Sequence, residues 1–130
     1  MIKVVVDRPR AMVALTAEGY VAQADVMTAA GQLHAAIRSL GERAGKHLTL
    51  YDLSDAKVAA GPALEAFAAF FTDPRYRPIW ARRVAFVTTS TLLTRQMARI
   101  RLDRPDMEVF DTRAKAIAWL LEAREQEVAA

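Results

Sequence analysis

Short apolar runs alternate along the chain with stretches whose apolar residues recur at helical spacing. "IKVVV" (2–6) and "AMVAL" (11–15) are valine-rich and strand-like, and "DRPR" between them, with Pro9 flanked by charges, suits a turn. The pattern predicts an opening hairpin. From Ala22 to Leu40 apolar side chains fall at Val26, Ala30, Leu33, Ile37 and Leu40, one face of a helix that Gly41 and Gly45 should end. "HLTLYDL" (47–53) reads as an interior strand and "SDAK" as the polar loop after it. Pro62 is placed to open a helix carrying Leu64, Phe67 and Phe71 on one side. "DPRYRP", with two prolines, should be irregular.

"RVAFV" (83–87) then reads as a buried strand and "TTST" as a capping cluster. A helix over about Thr91 to Leu102 buries Leu93, Met97 and Ile100. "RPD" breaks it. A short strand, "MEVF", leads to Asp111 as helix N-cap and to a last helix with Ala114, Ile117 and Leu121 inward, fraying over "REQEVAA". The order β β α β α β α β α predicts an α/β fold: one domain over residues 1–130, with helices packed on a mostly parallel sheet whose first strand alone is antiparallel.

Composition narrows the function classes. At 53% hydrophobic and 25% charged, the 130 residues have the balance of a globule with a substantial core. Cysteine is absent, which excludes disulfides, thiolate metal sites and cysteine nucleophiles, and makes a reducing, cytoplasmic compartment the expectation. "MIKVVVDRPR" holds too short an apolar core for a secretory signal. The longest apolar stretch, Val58 to Phe71, is interrupted by Glu65 and falls short of the roughly 18 residues a membrane span needs. No membrane insertion is expected. The net charge of +3 is mild, yet the cations are mostly arginine, which suits phosphate, carboxylate or anionic-lipid partners.

Local stretches carry a family likeness. With the element order, "LYDLSDA", "RRVAFV", "MARIR" and "EVFDTRAKAIAWL" resemble the STAS-like (SpoIIAA-like) family, the fold of bacterial anti-sigma-factor antagonists and of the cytoplasmic domains of sulphate transporters. The resemblance spans nearly the whole chain, and is closest to small stand-alone members in which "VFD" (Val109 to Asp111) leads into a helix containing "AWL" (Ala118 to Leu120). In signalling members, the resemblance implies, an Asp-Ser-Ser-Gly follows the "DLS" strand and a serine there is phosphorylated by a partner kinase. The corresponding residues here are Ala60, Gly61, Pro62 and Ala63, which offer no hydroxyl. Ser54 is the only serine nearby, and a turn serine is the plainer reading of it.

Other candidates are few. Asp7 and Asp52 each follow a strand, as in receiver domains, but Asp7 opens a turn into another strand instead of a helix. His34 and His47 have no partner at metal-ligand spacing, and His34 falls at the edge of its helix's buried face, where it should be half-exposed. "DPRYRPIWARR" mixes Arg75, Arg77, Arg82 and Arg83 with Tyr76 and Trp80, a combination able to grip a phosphate or a base. Such a loop more often tucks its aromatics over the core and leaves its arginines in solvent, so no nucleic-acid partner is expected. Trp119 sits roughly 160° from the inward face of the last helix, placing it on a partner surface or a packed flank.

The chain is therefore expected to be a non-enzymatic STAS-like domain without a cofactor or metal. It would bind a partner protein or a small apolar or anionic ligand near the strand-to-helix loops, through residues among Asp52, Ser54, Asp55, Tyr76, Arg77, Trp80 and Trp119. It would act as a monomer or a homodimer. Two alternatives stand beside it. One is a phosphorylation-controlled regulator using Ser54, Thr88 or Thr89; the other is an enzyme using Asp52 and Asp55, which requires an acid-lined pocket with raised carboxylate pKa values.

Overall fold

Residues 8–11 reverse the chain between β1 (Ile2–Asp7) and β2 (Met12–Val21). Pro9 takes the second position of a turn closed by Ala11 N–H to Arg8 O at 3.1 Å, and Asp7 Oδ1 accepts from Arg10 N–H at 3.2 Å. The remaining elements are α1 (Gln23–Arg38), β3 (Leu48–Val58), α2 (Pro62–Thr72), β4 (Arg83–Val87), α3 (Thr91–Ile100), β5 (Met107–Phe110) and α4 (Arg113–Ala129). This computed structural model describes residues 1–58 and 61–129, the side chains of 124–129 excepted. The five strands lie side by side in sequence order, β1 antiparallel to β2 and every later neighbour parallel, as the element order predicts.

Connections between parallel neighbours share one hand, so helices that link strands advancing in one direction fall on one face of the sheet. Accordingly α1, α2 and α3 cover one face, and α4, which links no strands, covers the other. The first face holds the aromatic core. Tyr51, Phe67 and Phe86 meet Phe71 edge-on, with ring centroids 4.9 Å apart for Phe67–Phe71, and Tyr51 stacks on Phe86 at 6.2 Å. Under α4 the floor is aliphatic: Met12, Leu48, Leu50, Ala85 and Val87. The first half of β3 is buried on both faces and apolar except at Thr49 and Asp52.

Several sequence expectations need correction. "SDAK" is not a loop: β3 continues through it to Val58, its second half pairing with Glu18–Val21 of β2 after a bulge that sets both Leu53 and Ser54 opposite Ala17. The inserted residue flips the alternation, so Ala56 and Val58 face the aromatic core where odd-numbered residues faced it before. "DPRYRP" is ordered as a 3₁₀ segment, Pro74–Ile79, capped by Asp73. α1 ends at Arg38 instead of at Gly41, and α3 ends at Ile100. α4 buries Ala116, Leu120 and Ala123, not Ala114, because its alanines allow close approach to the sheet along a stripe that hydrophobicity alone ranks low. Its N-cap is Thr112, whose Oγ1 accepts from Lys115 N–H at 3.3 Å; Asp111 pairs with Lys115 Nζ at 3.1 Å. Ser90 of the "TTST" cluster caps α3 as expected, accepting from Leu93 N–H.

Candidate functional site

Asp52 is the last residue of β3 to pair with β4, and its side chain emerges on the α4 face at the carboxyl ends of the parallel strands. The bulge at Ser54 turns that residue's N–H and Oγ back onto Asp52 Oδ1, at 3.1 and 2.6 Å. Arg113, the first residue of α4, reaches Asp52 Oδ2 at 3.2 Å and Thr16 Oγ1 at 3.3 Å. A cation at a helix N-terminus opposes the helix dipole, so Arg113 is held there by Asp52 and not by its own helix. Partial burial pushes the Asp52 carboxyl up, but the Ser54 hydroxyl and N–H and the Arg113 guanidinium outweigh it and hold the group below its ordinary value. A carboxylate so stabilised is a poor general acid or base.

Asp55 lies exposed beyond the bulge and shares no hydrogen bond with Asp52 among the described residues. The pair therefore builds no acid-lined pocket. Of the residues matched to the phospho-acceptor segment, Ala60 lies outside the described residues, Gly61 is the N-cap of α2 at φ +106°, Pro62 is its first residue and Ala63 is buried. Thr88 is buried at the end of β4, its Oγ1 accepting from Ser90 N–H at 3.0 Å, and Thr89 is exposed.

Tyr76, Arg77 and Trp80 go to the opposite, amino end of the sheet. Tyr76 stacks on His34 with ring centroids 3.6 Å apart, which buries that histidine, contrary to the half-exposed position expected of it. Burial and the charges of Arg38 and Arg75 hold the His34 imidazole below its ordinary pKa. Trp80 lies under the guanidinium of Arg104, 4.1 Å from its ring centroid, with Arg77 at 5.4 Å. Arg104, only 3% exposed, is bonded at each of its three nitrogens: Nε and Nη2 donate to Asp106 at 3.3 and 2.9 Å, and Nη1 donates to Phe71 O at 3.1 Å. Next to it His47 accepts from Gly45 N–H at Nδ1, which leaves Nε2 as a buried N–H without a partner among the described residues. Burial, with Arg104 adding to it, pushes that imidazole down to about 4. Gly45 itself admits no side chain, since a Cβ there would sit 2.6 Å from Pro78 O.

Trp119 is a packed flank. Its ring tilts against Phe110 at 5.6 Å, and Arg83 covers it at 4.7 Å while donating to its carbonyl.

Back at the carboxyl end, on the face away from Asp52, the structure brings together residues that polarity-based reasoning passed over. An apolar cavity of about 40 Å³ opens between the sheet and the pair α1 and α2. Its floor is Leu15, Val21, Leu53 and Val58, and its roof is Val26, Ala29 and Ala30 from α1 with Phe67 and Phe70 from α2. Ile2, Val21 and Ala29 also line an open groove of about 180 Å³ beside it, bordered by Tyr20, Asp25, Thr28 and Gln32. A hydrocarbon interior thus adjoins a polar rim. The signal in the sequence was the density of small residues in α1 and α2, which leaves space between helices that larger residues would fill.

Comparison of the sequence with protein families and with curated proteins gives no match. Among solved structures, an uncharacterised protein of the DUF3478 family from Shewanella loihica, described as having a SpoIIAA-like fold, superposes with a TM-score of 0.67 over 92% of this chain and 93% of that one, at 16% identity. The fold is SpoIIAA-like. In SpoIIAA-like terms the sequence resemblance implied the right architecture, and both the Asp52 cluster and the cavity sit at the carboxyl edge of its sheet, where open α/β sheets commonly bind ligands. Among the described residues no three histidine, aspartate or glutamate side chains are grouped to hold a metal, and no helix is long and apolar enough to cross a membrane.

Proposed function

We propose that this SpoIIAA-like domain is a non-enzymatic binding protein that takes the apolar part of a small amphipathic molecule between α1, α2 and the ends of β2 and β3. The cavity carries the reading: apart from Tyr51 its described walls are hydrocarbon side chains, and its mouth adjoins a groove bearing Asp25, Thr28 and Gln32. Sites for small molecules are typically apolar clefts with a few polar groups at the edge. The closed volume of about 40 Å³ is well below the roughly 300–1,000 Å³ of a filled ligand pocket, so an apolar chain enters as α1 and α2 part. Support for the non-enzymatic half is the Asp52 cluster, where the carboxylate is tied down by Ser54 and Arg113 instead of poised to exchange protons.

Calorimetric titration with single-chain amphiphiles of increasing length tests this. Each methylene that enters should add about 0.8 kcal/mol, roughly a fourfold gain in affinity, until the space is full. Saturable binding without chain-length dependence, or catalytic turnover of any member of the series, contradicts the reading.

A further inference from the structure

The two edges of the sheet are finished differently. β5, at one edge, has four residues, follows Pro105 and carries the Glu108–Arg101 ion pair at 3.2 Å, the ordinary means of keeping an edge from pairing. β1, at the other, has six residues, three of them consecutive valines, and among the described residues no strand lies beyond it. Met1 and Glu18 exchange both backbone bonds, at 2.8 and 2.9 Å. By alternation Lys3, Val5 and Asp7 bond inward to β2, whereas Ile2, Val4 and Val6 turn their N–H and C=O groups to the open edge. Side chains alternate too. Ile2, Val4 and Val6 pack into the aromatic core, and Lys3 and Val5 stand on the face that α4, packed over β3 to β5, leaves uncovered; Val5 is 47% exposed.

We infer that β1 pairs antiparallel with β1 of a second copy of this chain, joining two sheets into one of ten strands. Only a twofold axis normal to the sheet brings these edges together antiparallel, and it keeps both aromatic cores on the same side. Facing residues must then share parity. The register centred on Val5 sets Val5 opposite itself, Val4 opposite Val6 of the second copy, and Lys3 opposite Asp7 of the second copy. Val4 and Val6 both have outward backbone groups, so they form hydrogen-bonded pairs. Lys3 and Asp7 fall in the non-bonded pairs, where facing side chains come closest and opposite charges attract. This is the one allowed register in which Lys3 meets Asp7. In the neighbouring registers, centred on Val4 or Val6, Lys3 faces Val5 or Pro9. The charges on β1, which would repel many strands, are complementary to the strand itself.

The contact is a strand pair with little flanking surface, below the size of a stable interface, so the dimer is a reversible one with a dissociation constant of roughly 10⁻⁵ to 10⁻³ M. It is independent of what the cavity holds. Sedimentation across that concentration range should show monomer and dimer in exchange. Lys3→Asp, on the uncovered face, should weaken association at least about tenfold, and Lys3→Asp with Asp7→Lys should restore it, with circular dichroism confirming the fold of each.

Because the chain has no cysteine, Val5→Cys gives an unambiguous second test. Facing residues of a non-bonded pair lie about 4.5 Å apart at Cα, within disulfide reach, so this variant should cross-link to itself far faster than Lys3→Cys or Tyr20→Cys. A chain monomeric throughout the range, or a Val5→Cys variant that cross-links no faster than those controls, overturns the proposal. So does association that Lys3→Asp leaves unchanged.

Discussion

The two ends of the sheet use similar residues for opposite purposes. At the amino end Arg104 is buried, clamped between Asp106, Phe71 O and the face of Trp80, and with it the His34–Tyr76 stack closes the molecule. At the carboxyl end Arg113 keeps 46% of its side chain exposed while it pairs with Asp52, and across the sheet a cavity opens beneath α1 and α2. A buried charge bonded at each of its nitrogens is architecture. Arg113 is left half in solvent, and the unfilled apolar space lies on the other face of the sheet. The chain thus spends its basic and aromatic loop on packing at the amino end, and the proposed binding site is built of residues without charge.

Breaking the amino end should be expensive. Arg104→Met strands Asp106 and the Phe71 carbonyl and removes the Trp80 stack, and should cost about 3–5 kcal/mol, read as a lower denaturant midpoint at unchanged slope. Acid attacks the same end. His47 is held neutral down to about 4, against an ordinary value of 6.5, so between those values the unfolded chain binds the extra proton. Stability is full above pH 6.5 and falls by about 3 kcal/mol as pH drops toward 4. Unfolding measured at several pH values should show this loss in the native protein. His47→Asn, which keeps an acceptor for Gly45 N–H, should show a smaller slope, left by His34 and, near pH 4, by carboxylates held below their ordinary value such as Asp52. Gly45→Ala, at φ +91° against Pro78 O, should cost about 2–3 kcal/mol, and a loss below about 0.5 kcal/mol would mean that the 3₁₀ segment is not docked where the structure places it.

The carboxyl end should respond weakly to the same treatment. Arg113→Gln should cost about 1 kcal/mol or less, since the arginine end of the pair is half in solvent and screened. A loss as large as that from Arg104 would erase the distinction between the two ends.

Much of this architecture was legible in the sequence because strand and helix periods leave different marks. The β-rich run Leu48–Leu53 and the stripe Leu93, Met97, Ile100 are observed as read, and the capping cluster "TTST" supplies its cap through Ser90. The errors cluster where local chemistry is ambiguous. Ser54, Asp55 and Lys57 look like a turn, yet they are the exposed positions of a strand whose pairing with β2 no local pattern announces. In α4 the inward alanines hid the buried stripe.

The candidate site was less legible. Asp52 and Ser54 were visible as residues, but Arg113 lies 61 positions away, and only the fold brings it to them. The cavity is a gap left by Ala29 and Ala30 between larger neighbours, and its one mark in the sequence is the density of small residues in α1 and α2.

Methyl NMR of the full chain, titrated with decanoate, tests the central claim most directly. If α1, α2 and the carboxyl ends of β2 and β3 form the binding site, the methyl groups of Val21, Val26, Leu53 and Val58 shift together and saturate along one curve, while those of Leu48, Leu50 and Leu120 beneath α4 stay in place. Shifts that scatter over both faces without saturating, or that spare those four residues, would contradict the account.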